Sequence, residues 1–230
     1  MRLAGYTPLT LIDYPGHVAS IVFTQGCPFR CVYCHNPELL PITSNVEITE
    51  VDMLAKIQKD AAMLDGVVVT GGEPTLHPDL PAFLQKIKNL GLKTKLDTNG
   101  VTPRMVERCI EERLVDFFAM DIKHRFSNYR DIIGPTPDIA IKNCEETFHL
   151  IQESGVDHEF RTTVYPDVHV FEDIVEIVKL LRPGELYAIQ PVRYQKTLVK
   201  NLVHEKHMDF ENLTLKLRDL FPKLIIELKG

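Results

Sequence analysis

Apolar residues along the chain come in short runs that alternate between strand-like and helix-like spacing. Val18-Ala19-Ser20-Ile21-Val22-Phe23-Thr24 is a nearly continuous apolar and β-branched run, as in a strand buried on both faces. Pro41 to Val46 reads as a connector. Thr49, with Asp52 three residues on, then caps a helix carrying Val51, Leu54, Ile57 or Gln58, Ala61 and Leu64. Val67 to Thr70 predicts a second strand, and Leu80, Phe83, Leu84, Ile87 and Leu90 a helix from about Asp79 that stops at Gly91. Lys93 to Leu96 is a third strand. Thr102-Pro103 supplies an N-cap and a first-turn proline for a helix to about Arg113. Val115 to Met120 is a fourth strand, followed by a longer linker from Arg125 to Pro137 and a helix with Ile141, Cys144, Phe148 and Ile151 on one stripe. His158 to Val164 is the fifth strand. Ile174, Val175, Ile177, Val178 and Leu181 mark a helix that Pro183-Gly184 ends, and Leu186 to Gln190 is the sixth strand. A helix over Asp209 to Leu220 and an apolar run at Leu224-Ile225-Ile226 close the chain. Met1 to Gly16 reads as an extension with a turn at Tyr14-Pro15-Gly16.

Six strand–helix units in strict alternation imply parallel strands joined by crossover helices. An open doubly wound sheet and a partial barrel both fit. The barrel is favoured because nearly every strand exits into its most distinctive polar residues: Cys27, Glu73, Asp97, Asp121 with Lys123, and Arg193. A barrel gathers strand C-termini at one mouth, whereas an open sheet concentrates them only at a switch point. The expected fold is therefore α/β, a laterally open, TIM-like partial (β/α)6 barrel in a single domain over residues 1–230. Residues 1–16 would be an N-terminal extension, 17–193 the barrel core and 194–230 a C-terminal extension. Six strands leave a wider barrel, which suits a substrate that is itself a protein.

Composition narrows the function. The 230 residues are 44% hydrophobic, enough for a sizeable core, and the net charge of −6 gives no electrostatic case for nucleic acid. No apolar run approaches a membrane span, and Met1 to Thr10 lacks the apolar stretch of a signal peptide, so the cytoplasm is the expected location. Five cysteines, an odd number with three of them clustered, argue against a secreted disulfide framework.

Those three, Cys27, Cys31 and Cys34, are spaced C-x3-C-x2-C. Iron–sulfur clusters are held by thiolates, normally four per cubane, so three point to a cluster with one iron left open. Zinc with His35 as fourth ligand is the alternative, but adjacent Cys34 and His35 can hardly both reach one tetrahedral ion, and zinc ligand pairs usually stand far apart in sequence. Gly71-Gly72-Glu73-Pro74 closes a strand. Its glycines permit close approach of a ligand or of backbone, and its carboxylate could receive an ammonium group; an ordinary βα turn is the plainer reading. Asp97-Thr98-Asn99-Gly100 and Asp121-Ile122-Lys123 read either as a plain turn and a solvated ion pair, or as charges at the barrel mouth awaiting a partner. Arg161, within a strand that reads as buried, needs an anionic neighbour, whether a cofactor or a structural pair. Cys109 and Cys144 lie on apolar helix stripes and read as core.

The cysteine spacing, with Tyr33 just before the last cysteine, resembles the signature of the radical SAM enzymes. The stretch Leu11-Ile12-Asp13-Tyr14-Pro15-Gly16, followed by Val22 to Glu38 with its Cys34-His35-Asn36, closely resembles the opening of activating proteins of anaerobic ribonucleoside-triphosphate reductase. Cys-His-Asn and Leu96-Asp97-Thr98-Asn99-Gly100 are shared with pyruvate formate-lyase activating enzyme. The resemblance implies a [4Fe–4S] cluster on Cys27, Cys31 and Cys34, and S-adenosylmethionine with its amino group at Gly71, Gly72 and Glu73. It also implies Tyr33 near the adenine, Asp97 and Asp121 as candidate ligands of a monovalent cation, Lys123 as partner of the cofactor carboxylate and Arg161 as a cofactor contact. The expected partners are a glycyl-radical enzyme, anaerobic ribonucleotide reductase first, and an electron donor such as flavodoxin or ferredoxin. No acid or base beyond the cluster ligands is required. The alternatives are another glycyl-radical enzyme as target, a small-molecule reaction as in the 7-carboxy-7-deazaguanine synthase branch (against which Cys-His-Asn argues), and a zinc-bound interaction module.

Overall fold

The computed structural model describes residues 1–43 and 48–229; the later part of the expected connector Pro41–Val46 falls outside them. In chain order the elements are β1 (Leu3–Thr10), β2 (Ala19–Thr24), α1 (Glu50–Asp60), β3 (Gly66–Gly71), α2 (Leu80–Asn89), β4 (Lys93–Thr98), α3 (Pro103–Glu111) and β5 (Phe117–Asp121). They continue as α4 (Arg130–Ile133), α5 (Asp138–Glu153), β6 (Asp157–Val164), α6 (Phe171–Val178), β7 (Leu186–Pro191), α7 (Phe210–Leu220) and β8 (Ile225–Leu228). The expected α/β class, strand following helix, is present. The chain divides into two compact units, one of residues 1–28, 38–119 and 142–157, the other of residues 29–37, 120–141 and 158–230.

In the first unit β2 pairs in parallel with β3, and β3 with β4. Val67, Val68 and Val69 of β3 are fully buried, as are Leu96 of β4 and Phe83, Leu84 and Ile87 of α2, and β3 accordingly carries no polar alternation. The expected extension Met1–Gly16 is in part a strand: β1 runs antiparallel to β2, with register shifts between Leu3 and Gly5 and between Thr7 and Thr10. Gly5 and Pro8 disguise it, yet a bulged edge strand tolerates both, and Gly5 leaves room for the ring of Phe23. Thr49 caps α1 by accepting from the amide of Asp52 at 3.1 Å. The buried stripe of α1 is Met53 and Ile57, and Val51 faces solvent. Thr102 makes no side-chain capping bond; its carbonyl accepts from the amides of Met105 and Val106, and Pro103 opens α3.

In the second unit β6 pairs in parallel with β7, and β7 with β8. The run Leu224–Ile226 thus leads into a strand of its own. The linker Arg125–Pro137 contains α4, whose Ile132 and Ile133 are buried together with Tyr129 just before it. Its carbonyls at Ile133 and Ile132 accept from the amides of Arg30 and Val32, both at 3.0 Å, and so hold the backbone on either side of Cys31. Cys109 and Cys144 are fully buried core residues, as expected.

Candidate active site

In the first unit the glycine turn is built against the start of the cysteine loop. Gly72 N–H donates to the carbonyl of Thr24 at 2.9 Å and Glu73 N–H to that of Gly26 at 2.8 Å. A Cβ at Gly72 would stand 2.2 Å from the Gly26 oxygen, and one at Gly71, whose φ is +125°, 2.2 Å from the Thr24 nitrogen. What the two glycines admit within this unit is backbone, and the contact sets where Cys27 leaves β2. The Cys27 amide is fixed in turn by the carbonyl of Leu40 at 3.2 Å.

Glu73 is 1% exposed, and its carboxylate is engaged by the protein. One oxygen accepts from the Thr75 amide at 3.1 Å, the Thr75 hydroxyl at 2.6 Å and the Thr98 hydroxyl at 2.7 Å; the other accepts from the Asn99 amide at 2.7 Å. Burial raises its pKa, and the bonds from Asn99, Thr75 and Thr98 oppose that rise. The glycine turn and the Asp97–Gly100 turn are thereby joined. Asn99 uses its side-chain oxygen to accept from the Val101 amide at 3.0 Å and its Nδ2 to donate to Cys27 Sγ at 3.6 Å. Asp97 receives Lys95 Nζ at 2.7 Å. Lys95 is fully buried on the same face of β4, with Nζ 5.8 Å from the centre of the Phe117 ring.

In the second unit Cys31 and Cys34 share one turn, the Cys34 amide donating to the Cys31 carbonyl at 2.9 Å. Burial pushes the Cys31 thiol up to about 11; Lys123 opposes the shift, and Cys34 and Asp121 add to it. Tyr33 between them is buried, its hydroxyl without a hydrogen-bond partner among the described residues. Asp121, at the end of β5, takes Lys123 Nζ at 2.8 Å on one oxygen and Arg161 Nε at 2.8 Å on the other. Burial alone would raise the Asp121 carboxyl, but these two cations outweigh it and hold the group well below the usual carboxylate range. Arg161 also lies 3.8 Å from Glu159, which pairs with Lys229. So the anionic neighbour that Arg161 needs is present within the unit. Arg193 and His204 are exposed, and His204 stacks on Tyr194 with ring centres 3.9 Å apart.

Sequence reasoning passed over Lys95, His124 and His169, and read Asn99 only as half of a turn pair. His169 accepts from the Tyr165 amide at 2.9 Å and donates to the Lys123 carbonyl at 2.9 Å, and it stacks on His124 with centres 4.7 Å apart. Lys95 left a signal: a lysine mid-strand, two places from an aspartate, shares its face and pairs with it. Among the described residues no group of three or more His, Cys, Asp or Glu is drawn together as ligands of a single ion. No helix among them is long and apolar enough to cross a membrane.

Comparison with known proteins adds to this geometry. The profile of the radical SAM superfamily matches residues 21–181. A Methanocaldococcus jannaschii protein named for glycyl-radical enzyme activation is 35% identical over 82% of this chain and 78% of its own. The pyruvate formate-lyase-activating enzyme of Clostridium pasteurianum is 28% identical over 95% of this chain and 90% of its own. Among solved structures, Streptococcus suis SuiB bound to its precursor peptide SuiA superposes with a TM-score of 0.70 at 18% identity, over 91% of this chain but 48% of that one. Escherichia coli QueE superposes with a TM-score of 0.59 at 16% identity, over 100% and 93%. These two show the fold.

Proposed function

We propose, for a chain that belongs to the radical SAM superfamily and to its glycyl-radical activase branch, the activation of anaerobic ribonucleoside-triphosphate reductase. The observation that carries the chemistry is the triplet Cys27, Cys31 and Cys34 ahead of the Gly71-Gly72-Glu73 turn. Three soft thiols suit a [4Fe–4S] cluster, and a thiol raised to about 11, like that of Cys31, stays protonated near neutrality until a cationic centre displaces the proton. When bound and reduced, the cluster supplies the electron that cleaves S-adenosylmethionine to methionine and a 5′-deoxyadenosyl radical, which takes a hydrogen atom from a glycine of the partner.

The chain's own residues place and insulate this reaction. Gly71 and Gly72 set the backbone to which the amino group of the cofactor binds, with Glu73 holding that turn rigid. Lys123 and Arg161 meet the cofactor's carboxylate, and Tyr33 packs by the adenine and keeps water from the cluster. Asp97 and Asp121 are the candidate ligands of a monovalent cation, and each already carries a protein cation, Lys95 on the first and Lys123 with Arg161 on the second. A flavodoxin or ferredoxin in the cytoplasm delivers the electron.

The stretch Leu11 to Gly16 supports the reductase as target, whereas Cys34-His35-Asn36 is common to both activase types. The near full-length match to a pyruvate formate-lyase-activating enzyme favours pyruvate formate-lyase as the second reading. The two separate when the reconstituted, reduced protein and S-adenosylmethionine are mixed anaerobically with each candidate. A glycyl-radical doublet in the electron paramagnetic resonance spectrum of the reductase alone is the expected result; a doublet only on pyruvate formate-lyase reverses the assignment.

A further inference from the structure

Asn99 does more than complete a turn. Its amide is held at three points: the backbone N–H by Glu73 at 2.7 Å, the side-chain oxygen by the Val101 amide at 3.0 Å, and Nδ2 against Cys27 Sγ at 3.6 Å. The Val101 bond fixes which way the side-chain amide faces, since only oxygen can accept from an N–H. The side chain is nearly fully buried, so water does not compete strongly for the donor. Glu73 is itself locked by Thr75 and Thr98. A rigid relay thus runs from Glu73 to the Asn99 backbone and on, through its side chain, to sulfur.

An N–H that points at a cysteine sulfur favours negative charge there. On a cluster ligand that charge grows when the cluster takes up an electron, and hydrogen bonds to the sulfurs are among the levers that set cluster potential. We infer that Asn99 tunes the reduction potential of the cluster through its bond to Cys27, with Glu73 as the positioning residue that aims it. This rests on the cluster reading above. The step is a one-electron reduction by an external low-potential donor; no bond to protein forms or breaks, and the added charge is shared onto the Cys27 sulfur that Asn99 faces.

The test is the midpoint potential of the anaerobically reconstituted cluster, without S-adenosylmethionine, in the wild type and in Asn99→Ser and Asn99→Asp. Both variants keep an acceptor for Val101, and both lack the amide Nδ2–H that reaches Cys27 Sγ. Loss of one such bond weakens uptake of the electron about fivefold, a fall of about 40 mV at 59 mV per tenfold for one electron. Asn99→Asp, which also turns a carboxylate on the sulfur, falls further. Potentials equal to wild type in both variants overturn the inference. So does failure of both variants to hold a cluster while their circular dichroism stays native, which would make Asn99 a structural residue. Failure of the wild type itself to hold iron and sulfide in four-iron stoichiometry would instead defeat the cluster reading and this inference with it.

Discussion

His169 donates its Nε2–H to the main-chain carbonyl of Lys123 at 2.9 Å. Its Nδ1 accepts from the Tyr165 amide, so both ring nitrogens are committed to one neutral tautomer. The residue that leaves β5 with the Asp121 ion pair is therefore anchored by a buried imidazole.

That anchor has a pH signature. Burial lowers the His169 pKa to about 4, with the stacked His124 adding to the effect and Asp173 opposing it. The groups facing the pair are Asp173, Arg125 and Asp131, and burial depresses His124 as well. The folded protein keeps His169 neutral where the unfolded chain has begun to protonate. Its contribution is therefore complete above the unfolded value near 6.5 and is lost as pH falls from there toward 4, a loss of roughly 3 kcal/mol. Urea unfolding midpoints measured over this range fall steeply in the wild type and less steeply in His169→Gln; equal slopes contradict the assignment.

Lys95 and Asp97 form a buried pair at 2.7 Å. Removing either member breaks the pair that Lys95 makes across its strand face, at about 3–5 kcal/mol for a pair this enclosed. Lys95→Met and Asp97→Asn are each expected to destabilise by that order. The double variant should recover much of the loss, as denaturant unfolding in a double-mutant cycle would report.

Gly72 packs where no side chain fits, because the obstructing atom is the Gly26 carbonyl oxygen. Gly72→Ala has to move backbone on one side or the other, an overpacking cost of about 1–3 kcal/mol. The melting temperature should drop by several degrees, and the cluster content after reconstitution should fall with it, since the displaced backbone leads into Cys27. A stable variant with full iron content would contradict the contact.

Much of this site was legible in sequence because strand ends are marked by abrupt changes of residue type. The exits of β2 and β3 into Cys27 and Glu73, and Asp121 at the end of β5, stand out against apolar runs. What stayed hidden was connectivity. Nothing in the spacing of Glu73 and Asn99 reports that one accepts from the other, because that bond spans twenty-six positions and is made by folding. β1 escaped because an edge strand with a bulge accepts the Gly5 and Pro8 that disqualify a central one. His169 lacks any local motif; only burial beside Lys123 gives it a role.

The central claim, that this chain cleaves S-adenosylmethionine reductively at a cluster held by Cys27, Cys31 and Cys34, is tested most directly by anaerobic assay of 5′-deoxyadenosine. Protein reconstituted with iron and sulfide, reduced, and given S-adenosylmethionine should release 5′-deoxyadenosine and methionine in equal amounts. Cys31→Ala should release neither while keeping a native circular dichroism spectrum. Product from Cys31→Ala at the wild-type rate, or none from a wild type carrying a full reduced cluster, would contradict the account.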